Sequence, residues 1–394
     1  MAIDFKAQAE ALRDEVIARR RDLHQHPELA FEEVRTAGIV AQELNQLGLE
    51  VRTGVGKTGV IGLLEGARDG VTVLVRADMD ALPILEENEH AYASQTAHKM
   101  HACGHDGHTA IALGVAKLLA QHRDEMAGRV KFVFQPAEEI GAGAKAMIAD
   151  GALLDPRPDV TVGLHLWNNL PVGVVGVGDG ATMAGASVFD IKVTGKGSHA
   201  ASPQMGIDPV VCAAQIVSAF QTIVSRSLDP LDTLVISVTT IRAGEAYNII
   251  PQSAELRGTV RYFNTATRNM AQERMREIAV NLGFAMRCEV EFNFRDLTIP
   301  VVNHPEVGER LRTLFGQIDG VTKLDTTIRT MGAEDVSLFM DDIPGMYFFV
   351  GAQDMTADAY YGHHHPRFTI DEEALPLSVA LLSSAVASYV LPEA

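Results

Sequence analysis

Eight positions, His101-Ala-Cys-Gly-His-Asp-Gly-His108, carry one thiol, three imidazoles and a carboxylate. Burial alone never asks for so many metal-competent side chains side by side. Thiolate, imidazole and carboxylate together suit zinc or a similar first-row divalent ion. Further donors stand in short motifs elsewhere: Asp78 and Asp80 in Ala77-Asp-Met-Asp80, Glu138 and Glu139 in Gln135-Pro-Ala-Glu-Glu139, His165, and a histidine run in Gly362-His-His-His-Pro366.

The elements that must position these donors follow from hydrophobic periodicity. Amphipathic helices are expected over 5–24 and 32–47, and apolar strands over 60–64, 72–75, 130–134 and 160–164. Helical patterns near 109–121 and 142–150 fall between the later strands, which implies a mostly parallel sheet with helices on both faces. Ligands of such sheets gather outside the carboxyl ends of the strands. The strand at 72–75 runs into Asp78 and Asp80, the strand at 130–134 into Glu138 and Glu139, and the strand at 160–164 into His165. One strand ending in Asp is a common turn; three delivering Asp, Glu and His to one edge, where Cys103 and His105 can join them, read as one metal-centred site. Neighbouring residues at a strand end point apart, so one of Glu138 and Glu139 is expected to bind an ion and the other to act as base. The pattern does not say which. Asp78 reads as a support, Asp106 as the N-cap of the following helix, and His101 and His108 as supporting or packing groups.

From about residue 187 the pattern becomes that of half-buried strands. Strands at 187–193, 233–241, 254–262 and 287–294, with helices at 208–226 and 267–282, read as an α+β sandwich inserted in the larger domain. The fold class is therefore α/β, with a metal-binding catalytic domain of 1–183 and 298–394 and an inserted lid or dimerisation domain of 184–297. A helix near 307–315, a strand at 346–350 and a last helix from 372 return to the first domain.

At 394 residues the chain suits about two domains, and its 47% hydrophobic content allows a large core. The formal charge of −18, from 33 basic and 51 acidic residues, disfavours nucleic acid and anionic membrane as partners. The first residues lack a signal-peptide core and no apolar run approaches about 18 residues, so the chain reads as cytoplasmic. Its three cysteines, Cys103, Cys212 and Cys288, make no disulfide framework.

The series RRDLHQHPELAFEE, VRADMDALP, HACGHDGHTA, FQPAEE, GLHLWN, GKGSHAASP and NIIPQSAELRGTVR resembles the M20 metallopeptidase family, and within it the amidohydrolase branch of hippurate, N-acyl-amino-acid and indole-acetyl-amino-acid hydrolases. The resemblance implies two divalent ions, with zinc, manganese or cobalt as candidates, held by Cys103, His105, Glu139, His165 and a histidine near the C-terminus. Spacing from Pro366 favours His364, with His363 as the alternative. It further implies Glu138 as general base, Asp80 as the carboxylate that orients the cluster, and His199 as a donor to the tetrahedral intermediate. Asn248 is a second candidate donor, and Arg257 or Arg261 a candidate partner for a substrate carboxylate. The implied enzyme is a metal-dependent amidohydrolase cleaving N-acyl-amino acids, with a carboxypeptidase or dipeptidase as the alternative and a non-catalytic metal-dependent binding protein as a remote one. Its partners are expected to be a small N-acyl-amino acid or short peptide and a second copy of itself, with His199 reaching the partner's site.

Overall fold

The computed structural model describes residues 3–355 and 359–391. The chain forms two compact units, Met1–Thr182 with Val301–Arg329 and Asp335–Ala394, and Met183–Pro300 with Thr330–Glu334.

The first unit is built on an eight-stranded sheet. Its strands are β1 (Glu50–Val55), β2 (Gly59–Glu65), β3 (Arg68–Asp78), β4 (Ala127–Gln135), β5 (Val160–Pro171), β6 (Val174–Gly176), β7 (Lys323–Asp325) and β8 (Gly345–Gln353). They lie in the order β1-β2-β4-β3-β5-β8-β6-β7. The central four are parallel, and β1 and β2 add an antiparallel edge. A strand covered on both faces can be apolar at every position, and β3 shows why its sequence reads as a continuous run. Val73 and Val75 pack on one side with the helices His105–Gln121 and Ala374–Val390, while Leu74 packs on the other with Ala144 and Met147 of Gly143–Ala149.

Three sequence expectations for this unit are corrected. The first helix is two, Phe5–Ala11 and Arg13–Gln25, because Leu12 N turns back to Ala9 O in a tight last turn. Strand β1 escaped notice because its mixed exposure leaves no alternation to read. Strand β5 continues to Pro171, so His165 lies inside it, just beyond the point at Gly163 where pairing with β3 stops.

The second unit is an antiparallel sheet of Leu234–Ala243, Ser253–Tyr262, Gly185–Thr194 and Glu289–Thr298, in that order. Alternation puts Phe189, Ile191, Val193, Leu256 and Val260 against the helices Pro209–Thr222 and Thr265–Ala285. The opposite face carries Glu255, Arg257, Thr259 and Arg261. By length and composition alone, Pro209–Ser227, at 19 residues, could cross a membrane, although polar residues interrupt it. Its Cys212, Ala213, Ile216, Phe220 and Ile223 are buried in the second core, as befits a helix lying on a sheet.

Candidate active site

The first unit gathers its chemistry where β3 and β4 end. Past β4 the chain turns through Ala137, whose φ of 53° lies in the left-handed region, so Glu138 and Glu139 do not continue an extended strand. Three backbone N–H groups of this turn are held by carboxylates. Ala137 N donates to Glu33 Oε1 at 2.9 Å, Glu138 N to Asp80 Oδ1 at 3.0 Å and Glu139 N to Asp80 Oδ2 at 3.1 Å. The turn also needs Gly143, since a Cβ there would stand 1.5 Å from the carbonyl oxygen of Pro136.

Cys103 and His105 come from the loop and first turn of the helix His105–Gln121, separated by Gly104 at a φ of 92°. Cys103 Sγ is 3.6 Å from His165 Nε2, and His105 Nε2 is 3.9 Å from Glu139 Oε1. His364 Nε2 lies 3.4 Å from Glu139 Oε2. Donor atoms of Cys103, His105 and His165 fall within 4.8 Å of one another, as do those of Cys103, Glu139 and His364, and of His105, Glu138 and Glu139. The expected divergence of Glu138 and Glu139 is therefore corrected: the left-handed turn brings both carboxylates to His105. Glu139 is also grouped with Cys103 and His364.

The two candidate histidines near the C-terminus separate cleanly. His364 N is pinned to Ala102 O at 2.8 Å and its ring faces Glu139. His363 donates from Nε2 to Leu166 O at 3.1 Å and packs on Trp167, with ring centroids 4.7 Å apart.

Hydrogen bonds set the tautomers. His165 Nδ1 donates to Leu166 O at 2.8 Å and His105 Nδ1 to Asp80 O at 2.9 Å, which leaves Nε2 of each ring facing the group. His108 Nε2 accepts from Leu166 N at 2.9 Å, so its Nδ1 carries the proton given to Asp78 Oδ1 at 2.6 Å. Burial resists ionisation of Asp78, but charge on His105 and the Arg76 guanidinium hold its carboxyl well below the usual range. Arg76 Nη1 meets Asp78 Oδ2 at 2.7 Å, and Arg76 Nη2 meets Asp335 Oδ1 at 3.1 Å.

Asp106 is not the N-cap expected for the helix. It lies within the first turn, buried, with Oδ2 accepting from Arg20 Nε at 2.9 Å and from His24 Nδ1 at 2.8 Å. Glu33, Arg76 and Asp335 were missed as well. The available signals were a charge inside the apolar β3 for Arg76 and the family motif AFEE for Glu33; nothing in the sequence marks Asp335.

The second unit holds the remaining expected residues. His199 pairs with Ile249 in a two-residue ladder, and Ala200 N donates to Asn248 O at 3.0 Å, so His199 and Asn248 are neighbours. Exposed His199 accepts from Ala201 N at Nδ1, 3.0 Å away, and the neutral ring then presents Nε2–H. Arg257 Nε is 3.2 Å from Asp190 Oδ1, whereas half-buried Arg261 hydrogen-bonds Thr259 Oγ1 and Val260 O.

The first unit's donor set fits divalent ions. Burial pushes the Cys103 thiol well above its usual range, the Glu139 charge adds to this, and burial holds His165 neutral. His105 Nε2 is buried without a hydrogen-bond partner among carboxylates of Asp78 and Glu139. A cation would stabilise the thiolate and take the place of the proton on His105 Nε2.

The model of peptidase family M20/M25/M40 matches residues 74–388. The chain belongs to that family. An IAA-amino acid hydrolase (ILR1-like 2) of Arabidopsis thaliana is 39% identical over 97% of this chain and 86% of its own. Thermostable carboxypeptidase 2 of Saccharolobus solfataricus is 39% identical over 95% of each. Among solved structures, a Bacillus subtilis protein described as a dinuclear metal binding peptidase of the M20 family superposes with a TM-score of 0.83, at 35% identity over 98% of this chain and 100% of that one. The protein is a hydrolase of amide or peptide bonds.

Proposed function

We propose that this protein is an N-acyl-amino-acid amidohydrolase with two divalent ions held by Cys103, His105, Glu139, His165 and His364. The observation that carries the reading is the Glu138 carboxylate beside that donor group, within 4.8 Å of His105 and Glu139 donor atoms. Zn²⁺, Mn²⁺ or Co²⁺ there would acidify a water and polarise the scissile carbonyl. Glu138 then acts as general base: one carboxylate oxygen takes the water's proton as oxygen adds to the amide carbon, and hands it to the leaving nitrogen. Asp80 keeps Glu138 and Glu139 in place through their backbone N–H groups. His199 Nε2–H and Asn248 are the candidate donors to the oxyanion. Arg261 or Arg257 is the candidate partner of the substrate carboxylate. Products are a carboxylic acid and a free amino acid.

A carboxypeptidase reading is favoured by the resemblance to the Saccharolobus enzyme. Chelated protein, reloaded with each of the three metals, decides between them when assayed on acyl-amino acids and on peptides. Faster turnover of acyl-amino acids supports the proposal, faster turnover of peptides supports the alternative, and full activity of metal-free protein defeats both.

The reading includes a cytoplasmic protein, supported by three unbridged buried cysteines. It also includes a homodimer through the second unit, whose strand Leu234–Ala243 is a sheet edge with Val235 and Ile241 exposed. His199 is then placed to serve the partner's site. Mixing inactive His199→Ala with inactive Glu138→Gln protein should restore part of the activity. A dead mixture, with subunit exchange demonstrated, removes that element.

A further inference from the structure

A second set of ligand atoms stands on the far side of Asp106. His24, Glu86 and His90 each present a donor atom within 4.8 Å of the others. Glu86 Oε1 is 3.1 Å from His24 Nε2 and 3.2 Å from His90 Nε2. Ligands bound at about 2.0–2.1 Å around one tetrahedral zinc stand about 3.3 Å apart. The observed separations match that spacing. His90 Nε2 is buried and stands 3.2 Å from Glu86 Oε1, a distance that a shared proton or a shared cation would both satisfy.

The surrounding residues prepare these atoms for an ion. His24 is fully buried, and its Nδ1 faces Asp106 Oδ2 at 2.8 Å, an oxygen that Arg20 Nε also holds at 2.9 Å. An imidazole that gives one N–H to an anchored carboxylate has its lone pair fixed on the other nitrogen, the arrangement common to metal-bound histidines. Burial opposes charge on Glu86, but His24 and His90 hold its carboxyl well below the usual range, and Ser94 N, 2.7 Å from Oε2, and Asn88 Nδ2, 3.0 Å from Oε1, also hydrogen-bond it. The His90 ring stacks on Tyr92 with centroids 3.9 Å apart, and Tyr92 carries the Arg20 guanidinium on its face.

We propose that His24, Glu86 and His90 form a further divalent-cation site, of two nitrogens and one oxygen, suited to Zn²⁺ with a water as fourth ligand. Its ion ties the irregular segment around 86–94 to the helix Arg13–Gln25 and contains no thiolate. The site does not depend on how the Cys103 group is read. In metal-free protein the same geometry is satisfied by a His24 imidazolium between Asp106 and Glu86, and this is the competing state.

Co²⁺ titration of the full-length Cys103→Ser/His165→Ala protein separates the two. One equivalent of Co²⁺ should bind with a ligand-field spectrum lacking thiolate charge transfer. That equivalent should be lost in the same protein carrying His90→Ala or Glu86→Gln, with circular dichroism unchanged. In otherwise unaltered protein, His90→Ala should lower bound zinc by one equivalent and leave the thiolate–Co²⁺ band intact. Equal stoichiometry with and without His90 overturns the proposal. So does a nitrogen-15 spectrum of zinc-saturated protein in which both His24 ring nitrogens still carry protons.

Discussion

Replacing Asp80 by Asn tests whether its carboxylate holds the turn that carries Glu138 and Glu139. Both carboxylate oxygens are used, one by Glu138 N at 3.0 Å and one by Glu139 N at 3.1 Å. An amide has only one oxygen, so in either orientation an NH₂ group faces a backbone N–H. One hydrogen bond to a charged acceptor, about 1.5–3 kcal/mol, is lost, and a buried N–H is left unpaired at about 1–3 kcal/mol. Relaxation of the turn recovers part of this, leaving about 3 kcal/mol, which moves Glu138 and Glu139 out of register. At about 1.4 kcal/mol per decade, kcat should fall about 10²-fold. The assay is acyl-amino-acid hydrolysis at saturating Mn²⁺, with metal content and urea unfolding measured on the same sample. A variant that is folded and keeps more than half the parent kcat refutes the reasoning.

Glu138→Gln should abolish turnover at near-parental metal content, whereas Glu139→Gln should lose metal as well; elemental analysis with single-turnover assays checks this, and equal metal loss in both would count against the division. Asp106→Asn should cost about 3–5 kcal/mol in urea unfolding, because buried Arg20 and His24 lose their shared charged partner. Burial opposes the charge on Asp106, but Arg20 and His24 hold its carboxyl far below the ordinary range. Since the folded pKa is depressed, this stabilisation is complete above the unfolded carboxylate's value of about 4 and is lost as pH falls below it. The stability gap between parent and variant should therefore be flat near neutrality and narrow on acidification; a gap that widens in acid contradicts it.

Local order was legible where one segment carries the whole signal. The continuous apolar runs of β3, β4 and β8 mark strands buried on both faces, and the residues just after β3 and β4 carry carboxylates of the site. Residue type likewise announced the chemistry, because a thiol, imidazoles and carboxylates in such density have few roles besides metal binding. The family motifs then named individual positions that spacing alone left open, such as Glu138 against Glu139.

Tertiary structure decided what depends on partners far away in the chain. Asp106 has the sequence context of a helix cap, and only packing brings Arg20 and His24, more than 80 residues earlier, to its carboxylate. Asp335 is an unremarkable acid until the fold sets it beside Arg76 and Gln135. His363 and His364 are adjacent and chemically identical, and the Leu166 carbonyl engages Nε2 of one, whose ring packs on Trp167, while the other faces Glu139. The physical reason is the same in each case. Sequence pattern reports a residue's own preference for burial or hydrogen bonding, but a buried charge is set by whichever distant group the completed core delivers to within about 3 Å.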